Sequence, residues 1–384
     1  MPIEQAVFTS ARTARGDGYQ LVARSPGVKD EDERELAVWG PSHGALCMER
    51  DEGTSINFHR LSSGSSCVSK TVAAGQEYSG RGGARVYTHF LLVPPDVMAR
   101  FANNPFAVLR ATWAKGLLAV HDRWPENLES FSLVGRSAIV DEGLLSQLAE
   151  QWGPLRVAQL VAAAMTPGAK LLAGAGNAET LIGGLLQCFP KECRAEISFT
   201  TGLRYSPRRA FRLAFLDDDV AEQRRAVRQD GVSIVDLSGG AATDLHSHHW
   251  AAFVAKSIAD DRLSNLISQI QRSEITMENL DDLGDRLMRE GSKSLLGAGI
   301  GSNEADPRNI SQTAHAMKSI ASNDQPVRSS QSATSSQGES YDVPRYSSLQ
   351  GPRLTVATGS PSNLHNVADP VAIELLEKLD DAVY

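Results

Sequence analysis

The sequence predicts an α/β or α+β body of mixed sheets with packed helices in two sub-domains, followed by a disordered linker and a short C-terminal helix. Three observations carry that expectation. Strand-like alternation crowds the early part of the chain, whereas later strand-like runs alternate with stretches of helical period. All five Trp and all eleven Phe precede Ser302. Beyond Ser302 the chain turns to Ser, Asn, Gln, Pro and Gly, and only eight of the 65 residues at 302–366 are Ile, Leu or Val. So little apolar surface does not offset the entropy of ordering a backbone.

In chain order, strands are expected at Gln5–Ser10, Tyr19–Arg24, Ile56–Leu61, Cys67–Ala73, Val86–Val93 and Phe131–Val134. Further strands follow at Lys170–Ala173, Glu196–Leu203, Phe211–Leu216 and Val232–Leu237. Helices are expected at Asp30–Trp39, Asp96–Asn103, Asp141–Trp152, Leu155–Met165, Ala178–Cys188, Asp219–Gln229, His248–Ser268 and Met277–Gly291. Val157, Leu160, Val161 and Ala164 show the helical period most clearly. The resulting division is a first sub-domain at 1–140, a second at 141–301, the linker at 302–366 and the last helix within 367–384.

One connection reads as a hairpin. Ile197, Phe199, Thr201 and Leu203 alternate, as do Phe211, Leu213 and Phe215, with Pro207 barring a continuous strand between them. The tip of that hairpin would gather Arg204, Arg208 and Arg209. In the tail, Asp369 and Pro370 suit the first turn of a helix. Leu375, Leu376 and Leu379 then share one face as candidate partner-binding residues, docking either on the chain's own body or on a partner.

Composition excludes several classes. The net charge of −8 argues against a nucleic-acid partner. No apolar stretch is long enough to cross a membrane. The first twenty residues contain Glu4 and Asp17 and no apolar segment, so no secretory signal is expected. Four cysteines form no disulfide framework, and the expected setting is the cytoplasm with reduced thiols.

Chemistry-bearing motifs are weak. AlaGlyAlaGlyAsnAlaGluThr at 173–180 leads from a strand into a helix, so Gly174 and Gly176 could cradle a phosphate. Glu179 stands where the dinucleotide pattern needs a small residue, and a strand-to-helix turn is the simpler reading. No P-loop pattern occurs. HisSerHisHis at 246–249 lacks partners at metal-ligand spacing, so no metal or other cofactor is expected. Cys67 would need one of His43, His59 or His89 beside it to act as a nucleophile. No catalytic residue is assigned. Arg204, Arg208 and Arg209 read as a solvated tip paired with acids such as Glu192 and Glu196, or as an anion site.

Several longer strings resemble the N-terminal region of bacterial GTPase-associated adaptor proteins. They are ValPheThrSerAlaArgThr at 7–13, GlyTyrGlnLeuValAlaArgSerProGly at 18–27 and TrpGlyProSerHisGlyAlaLeu at 39–46. GluTyrSerGlyArgGlyGlyAlaArgValTyrThrHis at 77–89 and GluIleSerPheThrThrGlyLeuArgTyrSerProArgArg at 196–209 are similar too, giving coverage of roughly 1–240. The resemblance implies a non-catalytic adaptor working with a small GTPase in NTP-dependent conflict systems. It supplies no active-site residue. The alternative reading is a nucleotide- or phosphate-binding enzyme using the Gly174–Glu179 turn and the Arg204–Arg212 cluster.

Overall fold

Nine strands form one mixed sheet. The computed structural model describes residues 1–13, 16–47, 53–77, 84–121, 127–174, 176–216, 220–229, 231–238 and 248–298. The Ser-rich segment at 302–366 and Leu375, Leu376 and Leu379 lie outside the described residues.

The strands are β1 (Glu4–Thr13), β2 (Gly16–Arg24), β3 (Thr54–Arg60), β4 (Ser66–Gln76), β5 (Ala84–Val93), β6 (Ala169–Ala173), β7 (Phe199–Thr200), β8 (Leu213–Leu216) and β9 (Val232–Asp236). Their order across the sheet is β2-β1-β5-β4-β3-β7-β8-β6-β9. The first five pair antiparallel, and the last four run parallel to one another. The two regimes meet where β3 pairs antiparallel with β7, Asn57 opposite Thr200 and Phe58 opposite Phe199. The expected sub-domain boundary at 140/141 thus falls in a chain whose sheet runs continuously across it.

Helices cover both faces. They are α1 (Asp30–Trp39), α2 (Pro95–Arg100), α3 (Pro105–Ala114), α4 (Glu142–Met165), α5 (Ala178–Gln187), α6 (Lys191–Arg194), α7 (Val220–Val227), α8 (His249–Ala259), α9 (Leu263–Arg272) and α10 (Leu280–Ala298). On one face Phe58, Val68, Leu91, Leu172 and Phe215 pack against α3, α4, α5 and α8 in a single large core. On the opposite face Leu36 of α1 packs with Phe8, Cys67 and Phe90, while Ala226 of α7 packs with Leu171, Ala214 and Leu216. Alternation along each strand divides the two cores, since neighbouring side chains point to opposite faces.

The middle of the sheet carries a buried polar network on the α1 face. Asn57 Oδ1 accepts from Ser55 Oγ at 2.8 Å and from Thr200 Oγ1 at 2.6 Å. Its amide donates to Ser69 and Thr71, each at 3.2 Å, and Thr71 meets Thr88 at 3.0 Å. Ser55 also accepts from the Gly202 amide at 2.9 Å. These groups are buried and find partners within the sheet, which is the condition for burying polarity at low cost.

Four expectations need correction. The hairpin at 197–215 is absent: β7 and β8 are parallel, so the chain at 201–212 returns to the starting end of the sheet before β8 begins. Apolar alternation does not encode strand direction. Leu203 is buried by an isolated bridge to Leu46 and not by a strand. Phe131–Val134 is no strand; only Phe131 bridges, to Ile3, and Val134 is 87% exposed. The helix expected over His248–Ser268 breaks into α8 and α9 at Asp261, whose φ of 55° is left-handed, a conformation that Asp tolerates better than most residues. By contrast, the helices expected at Asp141–Trp152 and Leu155–Met165 are found as the two arms of α4, separated at Gly153, whose φ of 69° and ψ of 169° are not helical, just before Pro154.

Candidate functional site

A cavity of about 400 Å³ opens on the helical face, walled by β3, β4, α3 and the start of α5. Ile56, Phe106, Leu109 and Leu118 form its apolar lining, and Lys70, Arg110, Asn177 and Glu179 supply the polar groups. Trp113 stands at its rim, 64% exposed, with the Lys70 ammonium 4.2 Å from the ring centroid. A cation held over an indole face is a favourable pair that leaves the other face and the edges of the ring for contact.

Local sequence sets each wall. Asn104 Oδ1 accepts from the Phe106 amide at 3.0 Å and Pro105 opens α3, a strong start signal overlooked when only Asp96–Asn103 is read as helical. Trp113 then falls at the exposed end of α3. Lys70 lies opposite Ile56 on β3, in phase with Val68 on the core face of β4. A charged residue in the apolar phase of a strand is the signal by which the sequence could have disclosed this site.

The fourth wall is the predicted Gly174–Glu179 turn, and its geometry explains the glycines without a ligand. Gly174 has a φ of 149°, and a Cβ there would sit 2.8 Å from Leu237 Cβ. Gly176 has a φ of 136° and lies under the Trp152 ring, where a Cβ would come within 3.5 Å. Asn177 Oδ1 accepts from the Thr180 amide at 2.9 Å, capping α5 with its own side chain. Glu179 adds negative charge to the cavity at that helix start.

The arginine cluster lies elsewhere. Tyr205, in the same loop as Arg204, packs with Leu171, Ala214 and Leu216 on the α7 face, whereas α5 packs on the other face. The sheet therefore stands between Arg204 and the Asn177–Glu179 end of the turn, whereas Arg212 donates to the Ala164 carbonyl of α4 at 3.1 Å, on the face that α5 shares. Arg208 is exposed, and Arg209 is 8% exposed, its guanidinium lowered by burial. Arg204 lies 3.9 Å from Glu222 of α7, so Glu222 takes the place expected for Glu192 or Glu196. Glu192 instead meets Lys191, and Glu196 accepts from the Met277 amide.

Cys67 and His59 face each other across β3 and β4. Both are buried, and burial pushes the Cys67 thiol well above its usual range while holding His59 down to about 3. The pair is thus neutral and shielded, without the thiolate that nucleophilic attack requires. Among the described residues no group of three His, Cys, Asp or Glu side chains gathers as a metal would need, and no helix is long and apolar enough to cross a membrane.

His59 stacks on Trp39 with ring centroids 3.8 Å apart, and neither ring nitrogen has a hydrogen-bond partner among the described residues. Burial also lowers His89 to about 4. Between about pH 4 and 6.5 the unfolded chain therefore binds more protons than the folded one, and stability falls as pH drops through that window. His59→Phe keeps the stack and removes two unpaired buried nitrogens. Its urea midpoint is expected to rise at pH 7, and its loss of stability between about pH 6.5 and 4 to shrink. A lower midpoint at pH 7 would show that the imidazole makes a needed bond.

Residues 2–130 match the family model described as GTPase-associated protein 1, N-terminal domain type 2. The resemblance in the N-terminal region is thereby found, over a shorter span than the expected 1–240. The matched span includes the five antiparallel strands, α1, α2 and α3, with Lys70 and Trp113, and ends before Asn177 and Glu179. No curated protein matches the chain.

Proposed function

We propose that this chain, whose N-terminal residues match a GTPase-associated domain, is a non-catalytic cytoplasmic adaptor that binds a small GTPase of an NTP-dependent conflict system. The cavity beneath Trp113 is its docking point. The observation that carries this reading is a large exposed aromatic ring beside an apolar cavity, with Lys70 and Arg110 around it. Trp and Arg dominate the energetics of protein interfaces, and a preformed pocket beside them accepts a partner's apolar anchor.

The test is association of the full chain with a small GTPase encoded beside it, measured by interferometry with GDP and with a non-hydrolysable GTP analogue. Trp113→Ala is expected to weaken binding at least about tenfold, the scale of an interface hot spot, with an unchanged melting temperature. No binding in either nucleotide state, or binding indifferent to Trp113→Ala, overturns the proposal.

A further inference from the structure

We propose that the groove between α2, the loop at 132–140 and α6 is a binding site for a small phosphate-bearing ligand, separate from the Trp113 cavity. The groove encloses about 640 Å³ and is lined by Arg100, Arg136 and Lys191, with Ala99, Ala102 and Ile139 as an apolar floor. No carboxylate lines it. Lys191 Nζ lies 3.4 Å from Glu192 Oε1 beside the groove, so three cations line an opening without a carboxylate in a chain of net charge −8.

The wall is built with some rigour. Ala102 and Asn103 are consecutive non-glycine residues with left-handed φ angles of 53° and 50°. Such backbone costs free energy and persists only where its surroundings over-determine it. Here the fixing group is Arg194, which is fully buried. Its Nη1 donates to the Ala102 carbonyl at 3.3 Å and its Nε to the Phe189 carbonyl at 3.0 Å, while Nη2 has no partner among the described residues. Burial lowers this guanidinium only to about 10, so it stays charged at neutral pH behind the groove. Asn103 Nδ2 donates to the Lys191 carbonyl at 2.9 Å and ties the strained turn to α6. On the other wall Arg100 Nη2 donates to the Leu133 carbonyl at 3.2 Å, and the Ser137 amide donates to the Arg100 carbonyl at 3.1 Å.

The ligand class follows from this arrangement. Two guanidiniums and an ammonium around one opening match an oxyanion with more than one negative charge, and the planar fork of arginine pairs with phosphate oxygens in a way that water-exposed lysines alone do not. Orthophosphate would fill only a fraction of 640 Å³. The apolar floor leaves room for a second phosphate or an organic group, within the ordinary size range of small-molecule sites.

Isothermal calorimetry on the full chain at constant ionic strength tests the proposal, with sodium pyrophosphate and orthophosphate as the two probes. Pyrophosphate is expected to bind at one site per chain and more tightly than orthophosphate. Arg136→Glu and Lys191→Ala are each expected to weaken it at least about tenfold. Both positions are at the surface, and unchanged melting temperatures would confirm that the variants are folded. Absence of heat with either probe up to about 10 mM, or binding that survives both substitutions, overturns the proposal.

Discussion

Asn57→Ala is expected to destabilise the protein by about 2–4 kcal/mol, well beyond the loss of its own small volume, because the amide is the hub of a buried hydrogen-bond network. Its oxygen accepts from Ser55 and Thr200, and its nitrogen donates to Ser69 and Thr71. Ser55, Thr71 and Thr200 keep other contacts after the truncation, to the Gly202 amide, to Thr88 and to the Leu203 amide respectively. Ser69 keeps no side-chain bond of those described, and that orphaned hydroxyl makes the substitution costly. The Thr200 bond also spans the single seam between the antiparallel and parallel halves of the sheet. Denaturation of Asn57→Ala beside Asn57→Leu separates volume from hydrogen bonding. Both variants should fall by similar amounts, since Leu restores bulk and no donor. A loss below about 1 kcal/mol in Asn57→Ala would show that the network rewires without Asn57.

This network marks the limit of what the sequence discloses. β1, β3, β4 and β5 are legible from alternation because one face of each meets an apolar core, and α1 is legible at both ends, Asp30 and Trp39. The same alternation misleads at Ile197–Leu203. Thr201 and Leu203 are buried there by a loop, and only Phe199 and Thr200 form strand. Nor does periodicity distinguish parallel from antiparallel pairing, so an apparent hairpin proves to be two parallel strands. The Trp113 cavity was half-visible: the turn at Gly174–Glu179 stands out as a motif, but Lys70 becomes meaningful only when its phase with Val68 is noticed. Arg194 was invisible. No pattern in LysGluCysArg at 191–194 marks Arg194, yet it is fully buried because two backbone carbonyls, of Phe189 and Ala102, receive its donors.

Trp250→Ala is expected to cost about 3–5 kcal/mol, the range for emptying a large aromatic from a packed core. Trp250 is fully buried at the start of α8, and its Nε1 donates to the Cys188 carbonyl at 3.0 Å. Cys188 is the C-cap of α5, so the indole satisfies one of the carbonyls that a helix end leaves without an intrahelical partner. The backbone amide of Trp250 donates to Asp281 Oδ1 at 3.0 Å, which binds α10 to the start of α8. Gly284 lets α10 approach this closely, since a Cβ there would overlap the Trp250 amide nitrogen and the His249 carbonyl carbon. Trp250→Phe retains most of the volume but leaves the Cys188 carbonyl unpaired, and is expected to cost about 1–3 kcal/mol. Gly284→Ala leaves the indole and its bond in place but forces α10 away from α8, and is expected to cost at least about 1–3 kcal/mol. Thermal or urea unfolding of the three variants would rank them. Near-equal losses for Trp250→Phe and Trp250→Ala would assign the effect to the hydrogen bond, whereas a neutral Gly284→Ala would contradict the close approach of α10 to α8.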